Sequence, residues 1–379
     1  MAEMTSAERV KTVIMGGEPD RVPVSAPILP WALSQLYGRN SFMDSICDPE
    51  KIAKAAVWAC QEVGIDGVMT MIDTQMTWEA IAEASSMTYA ATYWEDFEPA
   101  QPHRLYEGDP LKNVVYGDPL IKTMKDAEKL VPADPYKHGR LNVVIKVIEL
   151  ANEKLKGKWT VGGFYDVPPT PVGTFMGHTQ MFIAMEKDLE LFKKVEDVVI
   201  KTSFEFAKAQ IKAGSASLGT VCEFAQWVGS DMFLSKPVWV HAAHPPELCV
   251  RLFKEFGMPT ALHPCSVGSC LPGIKAFKAW LDHTDVFIMP EGGGAVALAE
   301  AKEQLAPAVM CGNFSPVDIM LHGSPSDVEE ACVELIQKCA PGGRYMLGPG
   351  CEVPIDTPPQ NVQAMMNAAK KYGKYPIKI

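Results

Sequence analysis

The sequence predicts an α/β fold, a single (β/α)8 barrel, and three observations carry that expectation. Eight short apolar runs recur along the chain with helical patterns between them, and the last five lie roughly 25 to 40 residues apart. No G-x-G-x-x-G follows the first run, which weakens the dinucleotide-binding version of the rival doubly wound sheet. A length of 379 residues suits one large barrel carrying an insertion.

Thr5 and Glu8 form a capping-box pattern that opens a short helix, and Gly16-Gly17 stops it. After Pro19-Asp20-Arg21 the run 22–27 reads as the first buried strand. A helical stretch over 49–63 leads to the second strand at 67–72. The third lies at 159–164, and the fourth at 216–223 follows a long helix over 189–213. Runs at 259–263, 286–289, 308–313 and 345–348 complete the eight. Helical patterns at 245–256, 274–281, 295–304 and 326–339 alternate with them, and 359–372 closes the chain. Residues 93–138 break the rhythm, being polar, proline-bearing and aromatic. They read as an insertion covering one end of the barrel within one domain spanning 1–379.

Composition narrows the function classes. With 35 Lys and Arg against 46 Asp and Glu, the net charge is −11, which argues against nucleic acid or an anionic membrane as partner. A hydrophobic fraction of 47% with 21% charged residues describes a globular chain. No apolar run reaches the roughly 18 residues of a membrane span, and the first nine residues lack a signal peptide's apolar stretch. A cytoplasmic protein is expected, its ten cysteines reduced. Most of them, including Cys60, Cys249, Cys332 and Cys339, read as buried small hydrophobes.

In a barrel, residues just past the carboxyl ends of the strands line the active site. That rule selects Asp73, Tyr165, Asp166, Glu223, His263, Cys265, Glu291, Cys311, Asn313 and Cys351. His263 and Cys265 stand two apart, so both face one side of a strand. With Cys311 and Cys351 at later strand ends they form a soft-ligand constellation suited to zinc. Buried inert cysteines and a hydrogen-bonded histidine are the alternative. Glu223 reads as a general base, a fourth ligand or the partner of a nearby cation. The proline-rich run 165–173 reads as an apolar substrate wall or as a structural turn entering a helix.

Asp20-Arg21-Val22-Pro23-Val24 resembles the opening motif of the uroporphyrinogen decarboxylase superfamily, and Gly312-Asn313-Phe314-Ser315-Pro316 resembles its G-N-x-[DS]-P segment. Ser235-Lys236-Pro237 and Gly350-Cys351-Glu352-Val353-Pro354, with Thr357-Pro358 and Asn361-Val362, are similar to later signatures. The resemblance spans about residues 7 to 373 and implies a (β/α)8 barrel. The decarboxylases' arginine-rich motif is replaced here by the apolar stretch from Pro27 to Leu33, so decarboxylation of a polycarboxylate tetrapyrrole is disfavoured. Asp73 stands where the decarboxylases carry a catalytic aspartate, either retained as scaffold or used for substrate.

The other branch of the superfamily comprises zinc methyltransferases that work with corrinoid proteins. His263, Cys265 and Cys351 match its H-x-C pair and late cysteine, although Pro264 and Ser266 depart from the usual H-x-C-G. A rival set joins Cys311 and Cys351 to a carboxylate such as Glu223 or Asp282. The resemblance implies a Zn2+ enzyme, partnered by a small methylated substrate and a separate corrinoid protein, with a homodimer allowed. The aromatic residues Trp78, Tyr93, Trp94, Phe97, Tyr165 and Phe175 read as walls of a ring-shaped pocket, with Asp166 and Asn313 as polar contacts. Together with the lack of Arg and Lys at the strand ends, they favour an aryl methyl ether over a sulfonated thiol as the methyl-bearing substrate.

Overall fold

A computed structural model describes residues 3–38, 45–71, 76–87, 119–166, 168–221, 255–264, 284–289 and 293–378. The chain divides into two compact units. One comprises Met1–Ile72, Val143–Tyr165 and Ala207–Ile379, and the other Asp73–Asn142 and Asp166–Phe206. No helix among the described residues is long and apolar enough to cross a membrane.

The first unit is built on seven parallel strands hydrogen-bonded in chain order. They are β1 (Gly67–Met69), β2 (Thr160–Phe164), β3 (Leu218–Val221), β4 (Thr260–His263), β5 (Val286–Ile288), β6 (Val309–Cys311) and β7 (Tyr345–Met346). The first predicted run closes the ring. Val24 bridges Leu347 beyond β7 and Ser25 bridges Gly67 of β1, both in parallel. Ser25 N donates to Leu347 O at 3.0 Å, and Asp66 N donates to Val24 O at 3.0 Å. All eight expected runs are therefore neighbours in one cylinder, the (β/α)8 architecture. Strands with helices outside and other strands' side chains inside are apolar on both faces, which is why they read as short continuous runs.

Helix α1 (Ser6–Ile14) begins at the expected capping box: Glu8 N donates to Thr5 Oγ1 and Thr5 N donates back to the Glu8 carboxylate. Val10 and Val13 of this helix pack with Val286, Ile288, Val309, Cys311 and Met346. The helix therefore plugs the amino end of the barrel and leaves the carboxyl rim for chemistry.

A buried charge network holds that plug. Asp66, fully buried just before β1, accepts from Ser6 Oγ, from Arg9 Nη1 at 2.6 Å, from both terminal nitrogens of Arg21 and from Val24 N. Asp20 takes the other side of Arg9, at 2.6 and 2.8 Å. The Asp20-Arg21 motif thus ties α1, the closing run and β1 together at the end away from the candidate site.

The predicted helix over 49–63 is an α-helix, Pro49–Trp58, continued by a π-helical turn, Ala59–Val63, and ended by Gly64 at φ +92°. The long helix Leu189–Lys212 and the helices Gly294–Gln304, Pro325–Cys339 and Pro359–Tyr372 lie where the periodicity puts them. Gln210, near the end of the long helix, brackets the last residue of β2: its Oε1 accepts from Phe164 N at 2.8 Å and its Nε2 donates to Phe164 O at 2.6 Å. In the second unit, Arg140 and Glu79 form a buried ion pair at 2.7 Å.

Candidate active site

His263 ends β4 and is buried. Its Nδ1 lies 2.8 Å from the carbonyl oxygen of Ile288, on the adjacent strand β5. A carbonyl oxygen only accepts, so Nδ1 carries a proton, and in the neutral ring the lone pair would stand on Nε2. This is the tautomer of a metal-ligating imidazole whose other nitrogen is oriented by a second-layer acceptor.

Cys351 is half-buried on the turn after β7, and that turn is strapped on both sides. Gly350 N donates to Phe314 O at 2.8 Å, where Pro349 and Phe314 form a parallel bridge, and Val353 N donates to Pro27 O at 2.9 Å. Gly348 lets the backbone pass so close to Ser25 O that a Cβ there would collide with it.

Cys311 ends β6. It is 2% exposed, packs in the core with Val10 and Met346, and its Sγ donates to Ser25 O at 3.4 Å. Burial pushes its thiol up to about 12, against the smaller opposite pull of the Ser25 bond. As a metal ligand Cys311 would have to give up that proton and the Ser25 bond, since zinc binds the thiolate.

Asn313 follows Gly312 in the turn after β6 and is buried. Gly312 sits at φ +126°, and a Cβ on it would stand 2.7 Å from Met289 O, so only glycine fits. Tyr345, fully buried on β7, donates its hydroxyl to Gly312 O at 2.6 Å. Burial holds that phenol well above its ordinary value, so it stays a donor.

Three of the six aromatic residues are described. Trp78 and Phe175 lie within the second unit, packed edge to face with centroids 6.0 Å apart, and neither exposes more than 2% of its surface. Tyr165 is likewise fully buried, its backbone N donating to Gly219 O. Burial and edge-to-face contact both stabilise such rings. Asp166 is buried at 3% exposure.

Asp73, Glu223 and Cys265 lie outside the described residues, as do Asp282, Glu291, Tyr93, Trp94 and Phe97. Among the described residues no three His, Cys, Asp or Glu side chains form a metal-holding group. His263 and Cys351 are the described members of the expected set, and their chemistry fits zinc: one imidazole in the ligand tautomer and one rim thiol on a glycine turn. Sequence reasoning missed Tyr345, Asp66 and Gln210. The only signal for Asp66 was an acidic residue abutting an apolar strand, and Tyr345 left none.

The uroporphyrinogen decarboxylase (URO-D) family profile matches residues 107–372, more than half of the chain. The chain belongs to the uroporphyrinogen decarboxylase family. Within the curated relatives of this URO-D member, it is 23% identical over 375 residues to the methylcobamide:CoM methyltransferase MtbA of Methanosarcina acetivorans, covering 98% of this chain and 99% of the relative. It is also 23% identical to a methylated-thiol–coenzyme M methyltransferase of Methanosarcina mazei, covering 98% of this chain and 90% of that one. A solved methyltransferase from Methanosarcina mazei superposes with a TM-score of 0.75 at 21% identity, over 98% and 99% of the two chains. That likeness shows the same barrel fold.

Proposed function

We propose that this URO-D family member is a corrinoid-dependent methyltransferase, moving a methyl group between the cobalt of a corrinoid protein and a small thiol, with zinc held by His263, Cys265 and Cys351. The observation that carries this reading is the imidazole of His263, whose Nδ1 is engaged by Ile288 O as in a histidine that ligates a metal through Nε2. The end-to-end match to relatives named for methylcobamide and methylated thiols supports it. Cys311 is set aside because its proton is engaged by Ser25 O. A decarboxylase reading finds no arginine where the family's anion-binding motif would stand: Ile28, Leu29, Trp31, Ala32 and Leu33 are all buried, entering helix α2 (Leu29–Tyr37).

When bound, zinc supplies Lewis acidity that lowers the pKa of a thiol. The chain's residues bind and orient. Ile288 O fixes the His263 ring, and the strapped turn holds the Cys351 thiolate. Helix α1 shuts the amino end, so substrate enters at the carboxyl rim. Transfer forms a carbon–sulfur bond and breaks the carbon–cobalt bond, whose electron pair stays on cobalt. The thiol proton would pass to water or to a carboxylate, for which the sequence offers Glu223 and Asp73.

The methyl ether favoured by sequence drew on an aromatic wall. With Trp78, Tyr165 and Phe175 in the interior, the thiol is the better-supported substrate. The test offers zinc-loaded protein methylcobalamin with thiols, then a reduced corrinoid protein with methoxyaromatics. Thiol methylation that is lost on chelation, and lost with most zinc in Cys351→Ser at unchanged thermal stability, is expected. Turnover of methoxyaromatics alone overturns the thiol reading, and full zinc content and activity in Cys351→Ser overturn the site.

A further inference from the structure

We infer that Tyr345 is a positioning residue whose hydroxyl, through the turn after β6, holds the backbone beside Cys351 in place at the rim. The inference rests on the zinc reading for its consequence, but its geometry stands alone. β7 contains only Tyr345 and Met346, and ladder pairing beyond it is carried by Leu347 against the closing run. The turn after β6 begins at Gly312, a residue whose backbone has no side chain to stiffen it. Gly312 N donates to Met346 O at 3.2 Å, and Tyr345 Oη holds the other side of that residue by donating to Gly312 O at 2.6 Å. Two residues on, Phe314 O accepts from Gly350 N at 2.8 Å, and Gly350 is the residue before Cys351. A side chain on β7 therefore reaches sideways to β6, and the β6 turn reaches back to the loop after β7. This closed circuit of backbone and one phenol fixes the turn bearing the proposed ligand. A partner bonded directly to a metal ligand changes metal affinity by roughly 10–100-fold when lost, and Tyr345, acting through a turn, stands at the bottom of that range.

The competing account is that Tyr345 merely fills the core, and a matched control separates the two. Tyr375, also buried, donates its hydroxyl to Ala340 O at 3.0 Å, a bond of the same kind that touches neither turn. Tyr345→Phe and Tyr375→Phe each delete one oxygen and keep the ring. Two readouts are taken on the full chain: deuterium exchange at the Gly350 amide in metal-free protein, and zinc affinity by competition with a chromogenic chelator. Tyr345→Phe is expected to speed Gly350 exchange and weaken zinc binding, each by about tenfold, while Tyr375→Phe changes neither. Unchanged exchange at Gly350 in Tyr345→Phe, or equal acceleration in Tyr375→Phe, overturns the inference. Wild-type protein that takes up no zinc overturns the ligand reading instead, and the exchange result still decides the role of Tyr345.

Discussion

Replacing Asp66 with asparagine is expected to destabilise the barrel by about 3 kcal/mol while leaving methyl transfer unchanged. The carboxylate accepts five hydrogen bonds and is fully buried, and three of the five come from Arg9 and Arg21. Asparagine keeps the shape but turns one oxygen into a donor, which must face guanidinium or amide donors. Removing one partner of a buried ion pair costs roughly 3–5 kcal/mol, because the charge left behind is poorly solvated. The lower end applies here, since Arg9 retains Asp20 through two bonds and Arg21 retains Val22 O at 2.9 Å. An unfolding entropy of about 2.1 cal/mol/K per residue, over the 379 residues of the chain, converts that loss to a fall of about 4 °C in Tm. Scanning calorimetry reads the shift, and transfer assayed at 25 °C reads the rim. A Tm within 1 °C of wild type would refute the reasoning. So would a lost activity in folded Asp66→Asn, because Asp66 stands at the amino ends of the strands.

Three further outcomes are expected. Cys311→Ala should keep its zinc, measured by metal analysis, and lose about 1–2 kcal/mol of stability for the small cavity it leaves among Val10 and Met346; loss of zinc would restore the rival ligand set. Gly312→Ala places a Cβ against Met289 O at a φ that side chains rarely adopt, and should cost about 1–3 kcal/mol in chemical denaturation; a neutral effect would contradict the described turn. For Asp20, burial raises the carboxyl pKa, but the Arg9 bond and the amides of Met4 and Arg21 together bring it below its ordinary 3.8. A lowered folded-state value means stability that is present above 3.8 and lost as pH falls through the folded value, since the unfolded chain takes up its proton first. The stability gap between wild type and Asp20→Asn should therefore be constant near neutrality and shrink below that pH, and a gap independent of pH down to acid unfolding would rule out the ion pair.

Local pattern made the barrel legible. Runs such as 67–72 and 286–289 are apolar because both faces of a barrel strand are covered, and that signature needs no knowledge of which strands pair. The Thr5–Glu8 cap and the stop at Gly16 are likewise complete within a few residues. The candidate rim was half legible. Strand-end position singled out His263 and Cys311 alike, yet they differ in what their side chains meet, and those partners, like that of Tyr345, are far away in sequence. Ile288 lies 25 residues from His263, Ser25 lies 286 from Cys311, and Gly312 lies 33 from Tyr345. Trp78 and Phe175 looked like a pocket wall for the same reason: an aromatic residue near a strand end suits a core and a binding surface equally until its neighbours are known.

By itself the sequence determined the alternation of strand and helix, the order of the barrel and the residues eligible for chemistry, because hydrophobic periodicity and capping are written within a turn or a strand. Only the tertiary structure decided which carbonyl the Cys311 thiol, the His263 imidazole and the Tyr345 phenol each donate to. A hydrogen bond's partner is chosen by where the folded chain brings a distant carbonyl, and that position is set by the packing of the whole barrel rather than by any local stretch.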